Sequence, residues 1–176
     1  MSNIILEIVD DELLWDYVFK NMLQWEHQNF PKGSWISGHE VREFIRLQKL
    51  NRYHVILAWS ENKKKERELA GFLSWWHDRK DVCYINEVFV IPKFKGLHIA
   101  TNLLRMTLPI IQEDQKSAAN ILVIEDNWPM LHIQEKLMND GWYQDKRYSY
   151  SVDYYGNGKK LRYIKYRGVN DKFFKK

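Results

Sequence analysis

The sequence predicts an α/β chain of seven strands and four helices, and three observations predict it. Runs rich in Ile, Val and aromatic residues recur along nearly the whole length and are bounded by turn residues. Between them, apolar residues return every three or four positions, the spacing of one helix face. The stretch from Tyr84 to Leu104 carries a β-branched strand through a short Pro/Lys/Gly turn directly into an amphipathic helix. The order read along the chain is strand, two helices, three strands, helix, strand, helix, two strands.

Residues 3–9 are rich in Ile, Leu and Val and read as the first strand. Asp10-Asp11-Glu12 then gives an acidic helix start, with Leu13, Leu14, Tyr17, Val18 and Met22 at helical spacing. The turn Phe30-Pro31-Lys32-Gly33-Ser34 ends that helix, and Ser37-Gly38-His39-Glu40 has the form of a capping box for a second helix carrying Val41, Phe44, Ile45 and Leu47. Residues 53–59 and 69–76 are strands joined by the polar run Glu61 to Glu68, a hairpin with a charged tip. Residues 82–91 form the next strand, and a helix runs from about 97 to 115.

Ile121-Leu122-Val123-Ile124 is short and wholly apolar, as in a strand at a sheet centre. Asn127 to Asn139 reads as a helix with Pro129 in its first turn, where the missing N–H costs nothing, and Gly141 ends it. Residues 142–154 and 160–167 alternate aromatic and polar side chains around Gly156-Asn157-Gly158, a second hairpin. Beyond Gly168 the chain reads as loose. Residues 1–168 are therefore expected to form one domain, with 169–176 a basic tail.

The composition bounds the function. Of 176 residues, 45% are hydrophobic and 28% charged, near globular averages, so most of the chain should fold. The single Cys83 excludes an intramolecular disulfide framework, and no Cys/His cluster has zinc-ligand spacing, so no metal is expected and a reducing cytoplasm is the natural compartment. The N-terminal apolar run is far shorter than the roughly 20 residues of a membrane span. The net charge of +4 is unevenly placed: residues 151–176 hold eight Lys/Arg against two Asp, net +6, and residues 1–150 sum to −2. A basic C-terminal surface suits nucleic acid, an acidic protein or phosphates.

The strand–turn–helix junction is built to hold an anion. The first-turn amides of a helix have no intrahelical acceptor, and the macrodipole adds partial positive charge there. Lys93 and Lys95 place full charges beside it. The wording of this run resembles the acyl-CoA signature of the GNAT acetyltransferase superfamily, a strand ending in Val-x-Pro followed by Arg/Gln-x-x-Gly-x-Gly/Ala and a helix. Val90-Ile91-Pro92 matches the first part. Lys95 stands where the family has Arg or Gln, His98 where it has the middle Gly, and Ala100 where it allows Gly or Ala. Lys keeps the charge without the planar fork, and His adds a ring where the backbone should approach phosphate closely.

The resemblance extends over nearly the full length. It implies the GNAT layout, a central mixed, mostly antiparallel twisted sheet of about seven strands flanked by about four helices. It also implies an acetyl-CoA-dependent N-acyltransferase. By that likeness Phe89 and Val90 offer backbone groups to the pantetheine arm and to the oxyanion. Lys95, Gly96, Leu97, His98, Ile99, Ala100 and Thr101 hold the pyrophosphate, and Asn127 hydrogen-bonds the pantetheine.

A Tyr of the family's second cofactor element often protonates the departing thiolate. Counting from Asn127 puts Gln134 at its place, and counting back from Gly141 gives Leu137. Tyr143 or Tyr148 is the substitute acid on the next strand. Glu87, a carboxylate within an apolar strand, is the candidate base that takes the proton of the acceptor amine. Trp15, Trp25, Trp35, Tyr53, Tyr148, Tyr150, Tyr154 and Tyr155 are either rings for stacking an acceptor or core.

A second reading keeps the fold and assigns it to nucleic acid, through Lys160, Arg162, Lys165 and Arg167 around Tyr163 and Tyr166. The acceptor and the acyl chain are not written in the sequence, and a homodimer stays open.

Overall fold

The computed structural model describes residues 3–29, 37–79, 82–113, 118–152 and 161–169. Its elements are β1 (Asn3–Ile8), α1 (Glu12–Asn29), α2 (Gly38–Lys49), β2 (Tyr53–Glu61), β3 (Arg67–Arg79), β4 (Val82–Val90), α3 (Ile99–Glu113), β5 (Ala118–Ile124), α4 (Trp128–Leu137), β6 (Trp142–Val152) and β7 (Leu161–Val169). The strands form one seven-stranded sheet in the order β1-β2-β3-β4-β5-β7-β6. β1–β2, β2–β3, β5–β7 and β6–β7 pair antiparallel, and β4–β5 pair parallel. The fold class and the order of elements are those expected.

The chain divides into two compact units, residues 1–76 with 87–99 and residues 77–86 with 100–176. In the first unit α1 starts where Asp11 Oδ1 accepts from the Leu14 amide at 2.8 Å. α2 starts at a complete capping box, in which the Ser37 side chain accepts from the Glu40 amide and the Glu40 carboxylate accepts from the Ser37 amide. Both devices satisfy donors that a helix's first turn leaves open.

The apolar faces of these helices meet β2, β3 and β4 in an aromatic core. Phe44 stacks on Tyr53 with centroids 4.7 Å apart, and Trp25 packs on Phe72 and Phe89 at 5.6 and 6.3 Å. Each such ring pair adds about 0.5–1.5 kcal/mol beyond its buried area. Trp15 and Tyr53 belong to the same cluster, 6.2 Å apart. Trp15, Trp25 and Tyr53 are thus core rings, whereas Trp35, Tyr154 and Tyr155 lie outside the described residues.

In the second unit the buried residues Leu103, Leu104, Leu108 and Ile111 of α3 form the inner face, and Cys83 is a buried free thiol. Gly168 on β7 permits close packing there: a Cβ would fall 2.6 Å from Leu108 Cδ2 and 3.0 Å from the Trp142 indole.

The boundaries shift where local geometry is special. β3 begins at Arg67, so the charged hairpin tip narrows to residues 62–66. β5 begins at Ala118 because Ala118 and Ala119, fully buried, register with Val82 and Cys83 of β4. α3 begins at Ile99 and not at 97, because Gly96 and His98 hold left-handed backbone at φ 86° and 58°. β7 runs on through Val169, whose amide donates to the Gly141 carbonyl at 3.1 Å. The turn expected at 156–158 lies outside the described residues.

Candidate cofactor site

The junction after β4, residues 91–99, lies within the first unit and is held from both sides. Burial alternates strictly along β4, so Cys83, Ile85, Glu87 and Phe89 are buried while their neighbours are half-buried. Glu87 is 7% exposed. Phe89 sends its ring into the Trp25–Phe72 cluster, so it can offer only main-chain groups to a ligand.

β3 lies unusually close to that main chain. A Cβ on Gly71 would stand 2.5 Å from the Phe89 carbonyl oxygen, a distance that real Cβ atoms essentially never show, and a tight 3.2 Å from Val90 Cα. Glycine is required at 71 by this contact, a case of a strand glycine marking close backbone approach. Pairing to β3 extends one residue past the strand, since the Ile91 amide donates to the Ala70 carbonyl at 2.8 Å.

The chain then makes a single 3-10 turn over Pro92–Phe94, with Pro at its first position and the buried Phe94 as its anchor. The two lysines expected to serve the anion separate here. Lys93 is ion-paired with Glu68 and lies over the Phe94 ring, 5.0 Å from its centroid. Lys95 is exposed and has no acidic partner among the described residues. The positive charge available to a ligand therefore belongs to Lys95.

Gly96 and His98 follow with their positive φ angles, and Ile99 opens the fifteen-residue helix α3. Histidine is among the few non-glycine residues that visit the left-handed region with some frequency. His98 thus stands in backbone that a glycine would adopt without strain, with its ring exposed. Leu97 is half exposed, Ile99 is buried and Ala100 half-buried. Thr101, 5% exposed, presents little of its hydroxyl to solvent.

The remaining expected residues lie in the second unit. Asn127 caps α4, its Oδ1 accepting from the Met130 amide at 3.3 Å, which leaves its Nδ2 as a donor. Gln134 and Leu137, the two positions at which the family tyrosine was sought, are both fully buried. Neither Oε1 nor Nε2 of Gln134 has a hydrogen-bond partner among the described residues. Tyr143, 37% exposed on β6, stands opposite Arg167 of β7. The side chain of Tyr148 lies outside the described residues.

On β7 Lys165 and Arg167 share one face by alternation, and Tyr166 occupies the other, where burial and the nearby Glu135 carboxylate hold its hydroxyl pKa up. Tyr166 is therefore a packed ring and not a stacking platform. Lys160 and the side chains of Arg162 and Tyr163 lie outside the described residues.

Gly71 and Glu68 were not found by sequence reasoning. The first could have been: a glycine within an otherwise apolar strand is itself a signal of a bulge or close approach. The pairing of Glu68 with Lys93, 25 positions apart, has no local signature.

Among the described residues no group of His, Cys, Asp and Glu could hold a metal ion. No helix is long and apolar enough to cross a membrane.

The chain matches the Acetyltransferase (GNAT) family over residues 19–159. No curated protein matches the chain. Among solved structures it is similar to a putative acetyltransferase from Acinetobacter baylyi, at 14% identity, with 97% of this chain and 95% of that chain covered and a TM-score of 0.72. A spermidine/spermine N-acetyltransferase from Vibrio cholerae superposes with a TM-score of 0.68 at 13% identity, covering 97% and 95% of the two chains. A putative acetyltransferase from Salmonella typhimurium, solved with its cofactor acetyl-CoA, gives 0.68 at 12% identity, covering 96% and 94%. At such identities the likeness is one of fold.

Proposed function

Because the chain belongs to the acetyltransferase (GNAT) family, we propose that it transfers an acetyl group from acetyl-CoA to a primary amine by direct attack. The observation that carries this reading is the run of residues 95–98: a lysine with no acidic partner among the described residues, two positions with positive φ, and then the start of α3. Amides that open a helix are free to donate, and their dipole favours an anion. Gly96, Leu97, His98, Ile99, Ala100 and Thr101 would give main-chain donors to the pyrophosphate, with Lys95 supplying the charge. Acetyl-CoA supplies an acyl group already activated as a thioester, whose thiol leaves readily because its pKa is near 8.5.

The protein's own groups have three tasks. Phe89 and Val90 would align the pantetheine arm by main-chain hydrogen bonds, as an added strand does. A strand amide near Phe89 or Val90 would hold the carbonyl oxygen as it gains charge. Asn127 would add its Nδ2 donor. Glu87, buried on β4, would take a proton from the acceptor ammonium so that the neutral nitrogen can attack. Tyr143 is the proposed donor to the leaving sulfur, a task made small by the low thiol pKa.

Calorimetric titration with acetyl-CoA tests the reading. Wild-type protein should bind at micromolar ligand, and Lys95→Ala should weaken binding about tenfold, the loss expected when one charge-assisted phosphate contact, about 1.5 kcal/mol, is removed. Lys93→Ala should change it less than twofold, because Lys93 already faces Glu68. No heat at millimolar acetyl-CoA defeats the proposal.

A further inference from the structure

We propose that the first unit carries a second ligand site, on α1 and the ends of β2, β3 and β4, that takes the flat face and hydrogen-bonding edge of a nucleobase. The site is a cleft of about 640 Å3, within the range of small-molecule pockets. It touches Ile91 and Pro92 but none of residues 95–101. It is therefore separate from the proposed pyrophosphate contacts and does not rest on acyl transfer.

Its walls are of two kinds. Tyr17 lies 5.6 Å from Trp25 and 5.6 Å from Trp59; the half-buried rings of Tyr17 and Trp59 present apolar surface, and buried Trp25 and Leu69 back them. Along the same stripe of α1, at the spacing of one helix face, come Asn21, Gln24 and Gln28. Gln24 and Gln28 are exposed and have no hydrogen bond among the described residues. Asn21 donates its Nδ2 to the Tyr17 carbonyl at 2.7 Å, which leaves Oδ1 as an acceptor.

The formal charges at the rim are already answered. Glu68 is paired with Lys93, and Arg67 lies 3.4 Å from Glu61 and 3.7 Å from Glu7. The hydrogen-bonding capacity left over is that of carboxamides and the Tyr17 hydroxyl, a neutral group whose already high pKa burial raises further. Neutral groups that both donate and accept, beside flat apolar rings, complement a neutral planar ligand with donors and acceptors on its edge. Adenine answers that description, since a carboxamide can pair with its N6 and N7 in bidentate fashion, and its face can stack on an aromatic side chain.

Calorimetry with adenosine as the probe tests this on the full chain. Adenosine should bind with Kd below about 1 mM, equivalent to roughly −4 kcal/mol. The exposed pair Gln24→Ala/Gln28→Ala should weaken it at least about tenfold with an unchanged melting temperature, and Lys95→Ala should leave it within about twofold. A short adenine oligonucleotide binding more tightly than adenosine would identify nucleic acid as the source of the base, and equal affinity a free nucleoside. The proposal is overturned if adenosine gives no saturable heat or if a methyl glucoside binds as well. It is also overturned if saturating acetyl-CoA displaces adenosine competitively, because the base would then be that of the cofactor. Failure of acetyl-CoA to bind, with adenosine still bound, would strike the transferase reading alone.

Discussion

The β4–α3 junction and the α4 element differ in opposite ways from the signature that the sequence resembles. At the junction Lys95 and His98 stand where that signature has Arg or Gln and Gly, and the backbone holds positive φ angles at residues 96 and 98 and runs into a helix start. On α4 the framework is kept, with Asn127 at the cap and Gly141 left-handed at φ 89° after the last turn, but the position of the reactive hydroxyl is filled by buried Gln134 or Leu137. A role carried by amides and dihedral angles survives a change of side chain. A role carried by a hydroxyl does not, and must pass to another residue or lapse.

The most damaging test of that contrast is at Gly71. Valine there would drive its Cβ to within 2.5 Å of the Phe89 carbonyl, and backbone cannot yield as the far end of a side chain can. Overpacking usually costs about 1–3 kcal/mol, and this contact should reach the upper end. Urea denaturation should show a loss of about 3 kcal/mol, with acetyl-CoA affinity falling in whatever fraction stays folded. A loss under about 1 kcal/mol would mean that the β3–β4 approach is not what shapes the junction.

A paired substitution at His98 separates backbone from ring. A β-branched residue is strained at positive φ, so His98→Val should destabilise by about 1–2 kcal/mol and weaken acetyl-CoA binding about tenfold. His98→Gly relieves the strain but gives the unfolded chain more freedom, and these effects nearly offset, leaving stability within about 0.5 kcal/mol. Cofactor affinity in the glycine variant should stay within about threefold of wild type. If His98→Gly instead loses affinity as His98→Val does, the imidazole itself contacts the ligand.

The sequence made the element order legible because periodicity and punctuation are local. Ser37 and Glu40, Asn127 and Pro129, and Gly141 each announced a helix boundary that the structure keeps. It also made the junction legible as a strand, turn and helix, and it marked His98 as the position under stress. Which lysine faces a ligand was not legible, because the ion pair that withdraws Lys93 comes from Glu68 on another strand. The α1 cleft was hidden for the same reason. Trp25 and Trp59 stand 34 positions apart, and only the fold brings Tyr17 within 5.6 Å of both.

The smallest expected effect falls on Gln134, and it bears on what α4 has lost. Both polar atoms of its amide are buried without a partner among the described residues, and an unmet buried polar group costs about 1–3 kcal/mol. Leucine has similar volume and nothing to satisfy, so Gln134→Leu should stabilise the protein, by about 1 kcal/mol after imperfect repacking is allowed for. Thermal denaturation without ligand reads that gain. If Gln134 is merely a relic of the tyrosine position, transfer rates will be unchanged while stability rises. If the amide serves the bound cofactor, the same variant will be more stable without acetyl-CoA and gain less from its addition, because the interaction that repaid burial of the amide is gone. Natural proteins commonly hold such a destabilising polar group only where function uses it. The second outcome would show that α4 had exchanged a proton donor for a hydrogen-bonding amide and kept a chemical role.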